Sequence, residues 1–306
     1  MRREEQFHKG AYQHVYQITS DGGIAFYDAI DCLVYFTEFC VKSQQYNVEV
    51  DCVAIMRNHL HFGLRANELR DISLLIGSSA SYYTRSFNKK GRLKVSFKTY
   101  DRDEKIDSKQ RRNNIIYIAN NPVEKKACSK AIEYKWNFLA YSNNSNPFSI
   151  CPVISKSSII FRNAISCVRL LHQKRKPLNY YFFNSIMPKL NSSEKLQLVD
   201  YIISTYSVIN HKATEAEFKS REDMIIAINS TTGSEYNIHE EFSKEDYKHY
   251  NEIGSMISKM GGNNYFLNSP ERLITDCYLY TNASPFEISR YFHLDIGLVK
   301  SVLNIR

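Results

Sequence analysis

The segment Met56-Arg57-Asn58-His59-Leu60-His61-Phe62-Gly63-Leu64 constrains this chain more than any other. In an extended strand alternate side chains share a face, so His59 and His61 project together with Cα atoms roughly 7 Å apart. Leu60, Phe62 and Leu64 then point the other way and require a core on that side. Two imidazoles held side by side on a rigid strand form half of a metal site. Such pairs also occur as structural or merely exposed histidines, so the pair acquires a purpose only if the chain supplies further ligands.

The surrounding pattern places this strand in a mixed α/β context. Tyr12 to Thr19 has strand propensity and ends at the turn signal Asp21-Gly22-Gly23. Between 26 and 44, Ile30, Leu33, Val34, Phe36, Thr37, Cys40 and Val41 recur at helical spacing. Tyr46 to Met56 reads as a second strand, broken by Arg57-Asn58 before the histidines. Asp71 is a candidate N-cap for a helix containing Ile72, Leu75, Ile76 and Tyr83 and ending near Asn88. A basic turn, 89–94, leads to an extended segment at 95–100, and Asp107 or Ser108 opens another helix.

Projected at about 100° per residue, that helix places Gln110, Asn113, Asn114, Asn121 and Glu124 on the same side as Tyr117, with Ile115, Ile118, Ala119 and Pro122 opposite. Tyr117 is therefore expected on a polar face and not in the core, one turn before Asn121. Beyond Trp136 the texture changes. Tyr141 to Pro147 is polar and turn-rich, and the patterns from 157 onward are helical. The expected division is 1–142, a linker over 143–156, and a mainly helical domain over 157–306. Near the end, Ser284-Pro285-Phe286-Glu287 is a capping box with proline at the first helical position. Asp295 caps a second short helix. The pair, 284–304, has the proportions of a helix-turn-helix or of a terminal helical hairpin, with Lys300, Ser301 and Asn304 as its candidate DNA contacts.

Composition narrows the partner. Forty Lys+Arg against 32 Asp+Glu leave a net charge of +8, and 22 Tyr and 17 Phe accompany one Trp. A basic, aromatic-rich surface suits a polyanion with unpaired bases, although core packing also uses aromatic rings. Seven scattered cysteines with no Cys-x-x-Cys pair suit free thiols in a reducing compartment. Met1 to Gln6 is charged and no apolar signal segment follows; no apolar run reaches membrane-span length. The expectation is a cytoplasmic protein without a membrane partner.

Gln13-His14-Val15, Arg57-Asn58-His59-Leu60-His61, Tyr83-Thr84-Arg85-Ser86-Phe87-Asn88 and Tyr117-Ile118-Ala119-Asn120-Asn121-Pro122-Val123 occur in this order over about the first 140 residues. In this the chain resembles the single-tyrosine HUH transposases, and among them the REP-associated tyrosine transposases of the IS200-like branch. The resemblance implies an α+β fold: a ferredoxin-like antiparallel sheet with packed helices. It implies a DNA endonuclease or transposase that cuts and rejoins single-stranded or hairpin DNA through a 5′-phosphotyrosine. Tyr117 matches the nucleophile. His59, His61 and Asn121 match the ligands of one Mg²⁺ or Mn²⁺ ion. Tyr82 and Tyr83 are alternative nucleophiles on a neighbouring helix. Lys89, Lys90, Arg92, Lys94, Arg111, Arg112, Lys125 and Lys126 are the candidate DNA-binding set, or else a solvated cationic surface. Relatives of this kind work as monomers or homodimers. The competing expectations are a domesticated, non-catalytic protein that binds DNA hairpins and a structural metal site unrelated to nucleic acid.

Overall fold

The computed structural model describes residues 7–89, 93–230, 248–260 and 270–305. Lys90 and Arg92 of the expected DNA-binding set lie outside the described residues. The chain begins with β1 (Tyr12–Ile18), α1 (Ala29–Gln45), β2 (Glu49–Ile55), β3 (His59–Arg65), α2 (Leu69–Asn88) and β4 (Asp101–Lys105). The four strands form one antiparallel sheet in the order β2-β3-β1-β4, so this βαββαβ run has the ferredoxin-like arrangement that was expected.

Register assigns the two faces. Val15 lies opposite Phe62, and Phe62 opposite Val53; Leu60 lies opposite Ile55. These residues and Leu64 are buried against α1 and α2 through Phe36, Phe39, Ile72, Leu75, Ile76 and Tyr83. A slip of one residue would turn every one of these side chains to the other face, so the apolar alternation fixes the pairing. Asp28 opens α1 by accepting from the backbone N–H groups of Ile30 and Asp31. Two boundaries differ from the sequence pattern. α2 starts at Leu69 after Glu68, so Asp71 sits inside its first turn and does not cap it. The fourth strand is Asp101–Lys105 and not 95–100, where only Phe97 makes a bridge, to Thr19. β4 is a sheet edge with the sequence Asp-Arg-Asp-Glu-Lys; its backbone pairing to β1, not any apolar alternation, makes it a strand.

The other face of the sheet is roofed by α3 (Ser108–Glu124), which Asp107 caps as expected by accepting from Gln110 N–H. The segment that follows, up to 142, is a string of short 3₁₀ turns, and 143–153 has no helix or strand. Beyond it come α4 (Ile159–Gln173), α5 (Tyr180–Ile186), α6 (Ser192–Tyr206), α7 (His211–Glu215), α8 (Arg221–Ser230), α9 (Lys248–Lys259), α10 (Pro270–Tyr280), α11 (Pro285–Phe292) and α12 (Ile296–Leu303). α4 and α6 bury Phe161, Ala164, Val168, Leu198 and Ile202 in the same core as α1. α8 adds Met224 and Ile228 to Ile115 and Ile116 of α3. α9 to α12 pack on Ile24, Met56 and Ile118. α11 carries the capping box at Ser284 and Glu287, and Asp295 caps α12, as the sequence predicts. His293 joins the two helices with a positive φ of 52°.

All seven cysteines are free thiols. Among the described residues no helix is long and apolar enough to cross a membrane.

Asp200 of α6 ties the segment before the linker to the helices after it. Its fully buried carboxylate accepts from Tyr141 OH (2.7 Å), Ser149 Oγ (2.8 Å), Phe148 N–H (3.0 Å) and Lys135 Nζ (3.4 Å). Replacing Asp200 by alanine strands a half-buried ammonium and three further donors. Asp200→Ala is expected to cost about 3–5 kcal/mol of stability, read as a lower urea midpoint.

Candidate active site

Helical spacing aligns Asn114, Tyr117 and Asn121 along one side of α3, and β-strand alternation aligns Tyr12, His14 and Tyr16 with His59 and His61 on one face of the sheet. The structure stacks these two polar stripes on each other. The expectation that Tyr117 stands on an open polar face is corrected: Tyr117 is 6% exposed, Asn114 3% and Asn121 1%. α3 also packs on α8 and on the α9–α12 cluster through its apolar side chains, so the side bearing Tyr117, which looks solvent-facing in projection, faces the sheet instead.

The height of α3 above the sheet is set at Gly63. A Cβ there would lie 2.1 Å from Tyr12 OH and 2.7 Å from Cys52 Sγ. With no side chain at that point, the Tyr12 hydroxyl crosses over the strand to meet Cys52 Sγ (3.2 Å) and to donate to Asn114 Oδ1 (3.0 Å) on α3.

His59, 2% exposed, is oriented by its neighbour. Asn58 donates Nδ2–H to Gly22 O (3.2 Å), which turns Asn58 Oδ1 toward His59 Nδ1 at 2.7 Å. Nδ1 therefore holds the imidazole proton, and the Nε2 lone pair faces Asn121 Oδ1 at 3.2 Å. Two lone pairs at that distance repel unless a positive charge lies between them. With no cation there, a rotation of the Asn121 amide would let Nδ2–H donate to Nε2 instead.

His61 is fully buried and edge-on to His59, with ring centroids 4.9 Å apart. Its Nδ1 is 3.2 Å from His14 Nε2, and the two rings stack at 5.4 Å with planes 21° apart. His61 Nε2 is buried and has no hydrogen-bond partner. Burial, then the nearby Lys125 ammonium, pushes the His61 pKa down to about 3. Burial, then His61 and Lys105, pushes His14 well below the ordinary histidine range. Both rings are neutral at pH 7. When His61 gives its Nδ1–H to His14, its Nε2 lone pair is left facing the site.

The Tyr117 ring stands edge-on to both, 5.3 Å from His61 and 5.9 Å from His14. The structure thus brings together His59, His61, Tyr117 and Asn121, the set named from sequence, and adds His14, Asn58 and Lys125. The phase of β1 places His14 on the face that bears Tyr12 and Tyr16, but only the pairing of β1 with β3 puts it beside His61. Tyr83 is on α2, across the sheet from the histidines, with its hydroxyl donating to Ala25 O (2.5 Å); Tyr82 packs on the same side. Neither shares a sheet face with the pair.

Among the described residues no three His, Cys, Asp or Glu side chains form a metal-holding cluster. The groups able to hold a cation here are two imidazoles and an amide oxygen. Of the expected DNA-binding set, Lys89, Lys94, Arg112 and Lys126 are exposed. Arg111 is half-buried, paired to Glu217 at 2.6 Å and donating to Ile106 O, so its guanidinium is not open to phosphate. Lys125 is 2% exposed: it follows α3 directly and its side chain runs inward, toward His61, not onto the surface.

No protein family's sequence profile matches the chain. No curated protein matches it in sequence. Among solved structures, it is similar to a REP-associated tyrosine transposase bound to a REP hairpin, with a TM-score of 0.40 and 12% identity over 46% of this chain and 85% of that one.

Two outcomes are expected. Gly63→Ala pushes Tyr12 off Asn114 and costs about 1–3 kcal/mol, visible as a lower thermal midpoint and weaker protection of α3 amides from hydrogen exchange. The metal-free protein is expected to lose stability as pH falls below the ordinary histidine pKa of 6.5. Unfolded His61 takes a proton there, whereas folded His61 stays neutral down to about 3. The slope is up to about 1.4 kcal/mol per pH unit for that histidine. Urea unfolding at pH 7 and at pH 5 measures it, and a flat profile contradicts the assignment.

Proposed function

We propose that this chain cuts and rejoins single-stranded DNA as a single-tyrosine HUH enzyme of the REP-associated transposase type, with Tyr117 as its nucleophile. One observation carries the reading: α3 lies across the histidine face of the sheet, with Asn121 Oδ1 3.2 Å from His59 Nε2 and the Tyr117 ring 5.3 Å from His61.

The residues fit a divalent cation. The 3.2 Å separation of His59 Nε2 and Asn121 Oδ1 is close to the edge of an octahedral shell, about 3 Å for donor distances of 2.0–2.1 Å. His61 Nε2 is a buried nitrogen without a partner, and Asn58 and His14 are the outer partners that fix ring orientation at metal-ligating histidines. Of Mg²⁺ and Mn²⁺, the two nitrogen donors favour Mn²⁺. Once bound, such an ion supplies Lewis-acid stabilisation of the phosphoryl oxygens.

The remaining chemistry belongs to the chain. Tyr117 Oη attacks the phosphorus, forming a P–O bond to the phenol as the bond to the 3′ oxygen breaks. The leaving 3′ oxygen takes up a proton, the phenol gives one up, and the phosphodiester energy is kept in the 5′-phosphotyrosine. Attack by a second 3′-hydroxyl reverses the exchange and joins two strands. Lys125, buried beside His61, contributes positive charge where phenolate and phosphoryl oxygens gather negative charge.

The burial of Tyr117 favours a second reading, in which the chain binds DNA hairpins without cutting them and the site stays closed. A 3′-labelled single-stranded oligonucleotide series drawn from the flanks of the gene, incubated with Mn²⁺, separates the two. Cleavage gives a covalent protein–DNA adduct that is lost with chelator and in Tyr117→Phe, and is cut at least a hundredfold in His59→Ala and His61→Ala, which still bind DNA. Salt-dependent binding with no adduct from any oligonucleotide supports the second reading. An adduct at full yield in Tyr117→Phe removes Tyr117 from its role.

A further inference from the structure

A cavity of about 180 Å³ opens beside the site, between the start of α1, the β2–β3 hairpin and the segment after α3. Two of its lining residues belong to the stretches that build the site: Arg57 is two residues before His59, and Ala127 is two residues after Lys125. Phe26, Tyr27, Tyr134 and Trp136 supply aromatic walls, and Arg57 and Asn251 supply polar groups. These walls are held in place. Tyr134 donates its hydroxyl to Ile55 O (2.8 Å), Phe26 packs on Tyr83 with ring centroids 4.9 Å apart, and Arg57 donates to Tyr27 O (3.4 Å) and to Asn251 Oδ1.

We propose that this cavity takes one unpaired nucleobase of the bound strand, stacked on Trp136, with its polar edge read by Arg57 and Asn251. The proposal rests on the single-stranded DNA reading above. The volume lies below the roughly 300–1,000 Å³ of drug-sized sites and matches a single flat ring system. Aromatic walls with a guanidinium are what a base extruded from its strand requires: a π-face to stack on and donors for its ring nitrogens and carbonyls. Asp28 also lines the cavity and is exposed. Its carboxylate repels phosphate and accepts from base N–H groups, so the occupant is the base and not the backbone. Arg57 precedes His59 by two residues on the β2–β3 hairpin, so a base held here anchors the strand to the hairpin that carries the histidines.

Trp136 is the one tryptophan of the chain, so intrinsic emission reports on this cavity alone. The full-length protein is titrated with each of the four deoxynucleoside monophosphates and with 2-deoxyribose 5-phosphate as the base-less control. At least one nucleotide is expected to quench Trp136 saturably, while the sugar phosphate does not. Arg57→Ala is expected to weaken the response about 5- to 100-fold, the range for losing the hold on one stacked base. Ala29→Phe, which fills the cavity from the first residue of α1, is expected to abolish the response with the thermal midpoint retained. Absence of saturable quenching by all four nucleotides, or equal quenching by the sugar phosphate, overturns the proposal. The adduct assay with Tyr117→Phe is independent of this one. Quenching without an adduct removes the nuclease reading and leaves the base pocket, whereas an adduct without quenching removes the pocket alone.

Discussion

The contact between α3 and the histidine face of the sheet is the constraint that the other parts of the structure serve. Burying imidazoles, amides and phenols is costly unless their polar atoms find partners. Here they meet each other: Tyr12 with Asn114, His59 with Asn58, and His61 with His14. A layer of this kind has little of the free-energy gain of an apolar interface, so α3 needs apolar support from its outer sides. α8 supplies it through Met224 and Ile228, and the α9–α12 cluster through Leu273, Ile274 and Phe292. The helical part of the chain is thus the counterweight that lets a polar layer stay buried.

The last helices also reach the layer around His59. His293 Nδ1 meets Asp21 Oδ2 at 2.5 Å and its Nε2 meets Ile24 O at 2.7 Å, while Ile24 N–H donates to Arg290 O. This close docking uses two glycines. A Cβ on Gly23 would fall 2.5 Å from the His293 ring, and Gly22, at a φ of +70°, sits against the Arg290 guanidinium. Gly22 O is also the acceptor that orients Asn58, and Asn58 orients His59. The terminal helices, the 21–24 loop and the candidate ligand are linked through one short run of contacts.

This arrangement gives the site a particular electrostatic character. His14 and His61 are held neutral by burial, and Lys125 adds a positive charge beside them. Neutral imidazoles with lone pairs turned inward suit a cation, and an ammonium at the same place suits a phosphate. A solvent-filled cleft would weaken both effects, because water screens charges that a buried layer leaves strong. The aromatic cavity is lined in part by the β2–β3 hairpin, through Met56 and Arg57 just before His59.

Much of this was legible in the residues. The alternation around His59 and His61 fixed a strand with two unlike faces, and helical spacing put Tyr117 and Asn121 on one side of a helix capped by Asp107. The capping box at Ser284 announced α11. These features depend on local periodicity and capping, which the sequence contains directly. Other features were decided by tertiary packing. Tyr117 looked exposed because a projection cannot tell solvent from a polar sheet face, and Lys125 and Arg111 looked like surface cations because charge type does not reveal an inward rotamer or a distant Glu217. β4 carries no periodic signal, because an all-charged edge strand has no apolar rhythm. His14 became part of the site only through the register of β1 on β3, a long-range pairing. The sequence by itself determined which residues share each strand face and helix side; only the tertiary structure decided which faces meet, because that choice rests on burial and pairing between segments far apart in the chain.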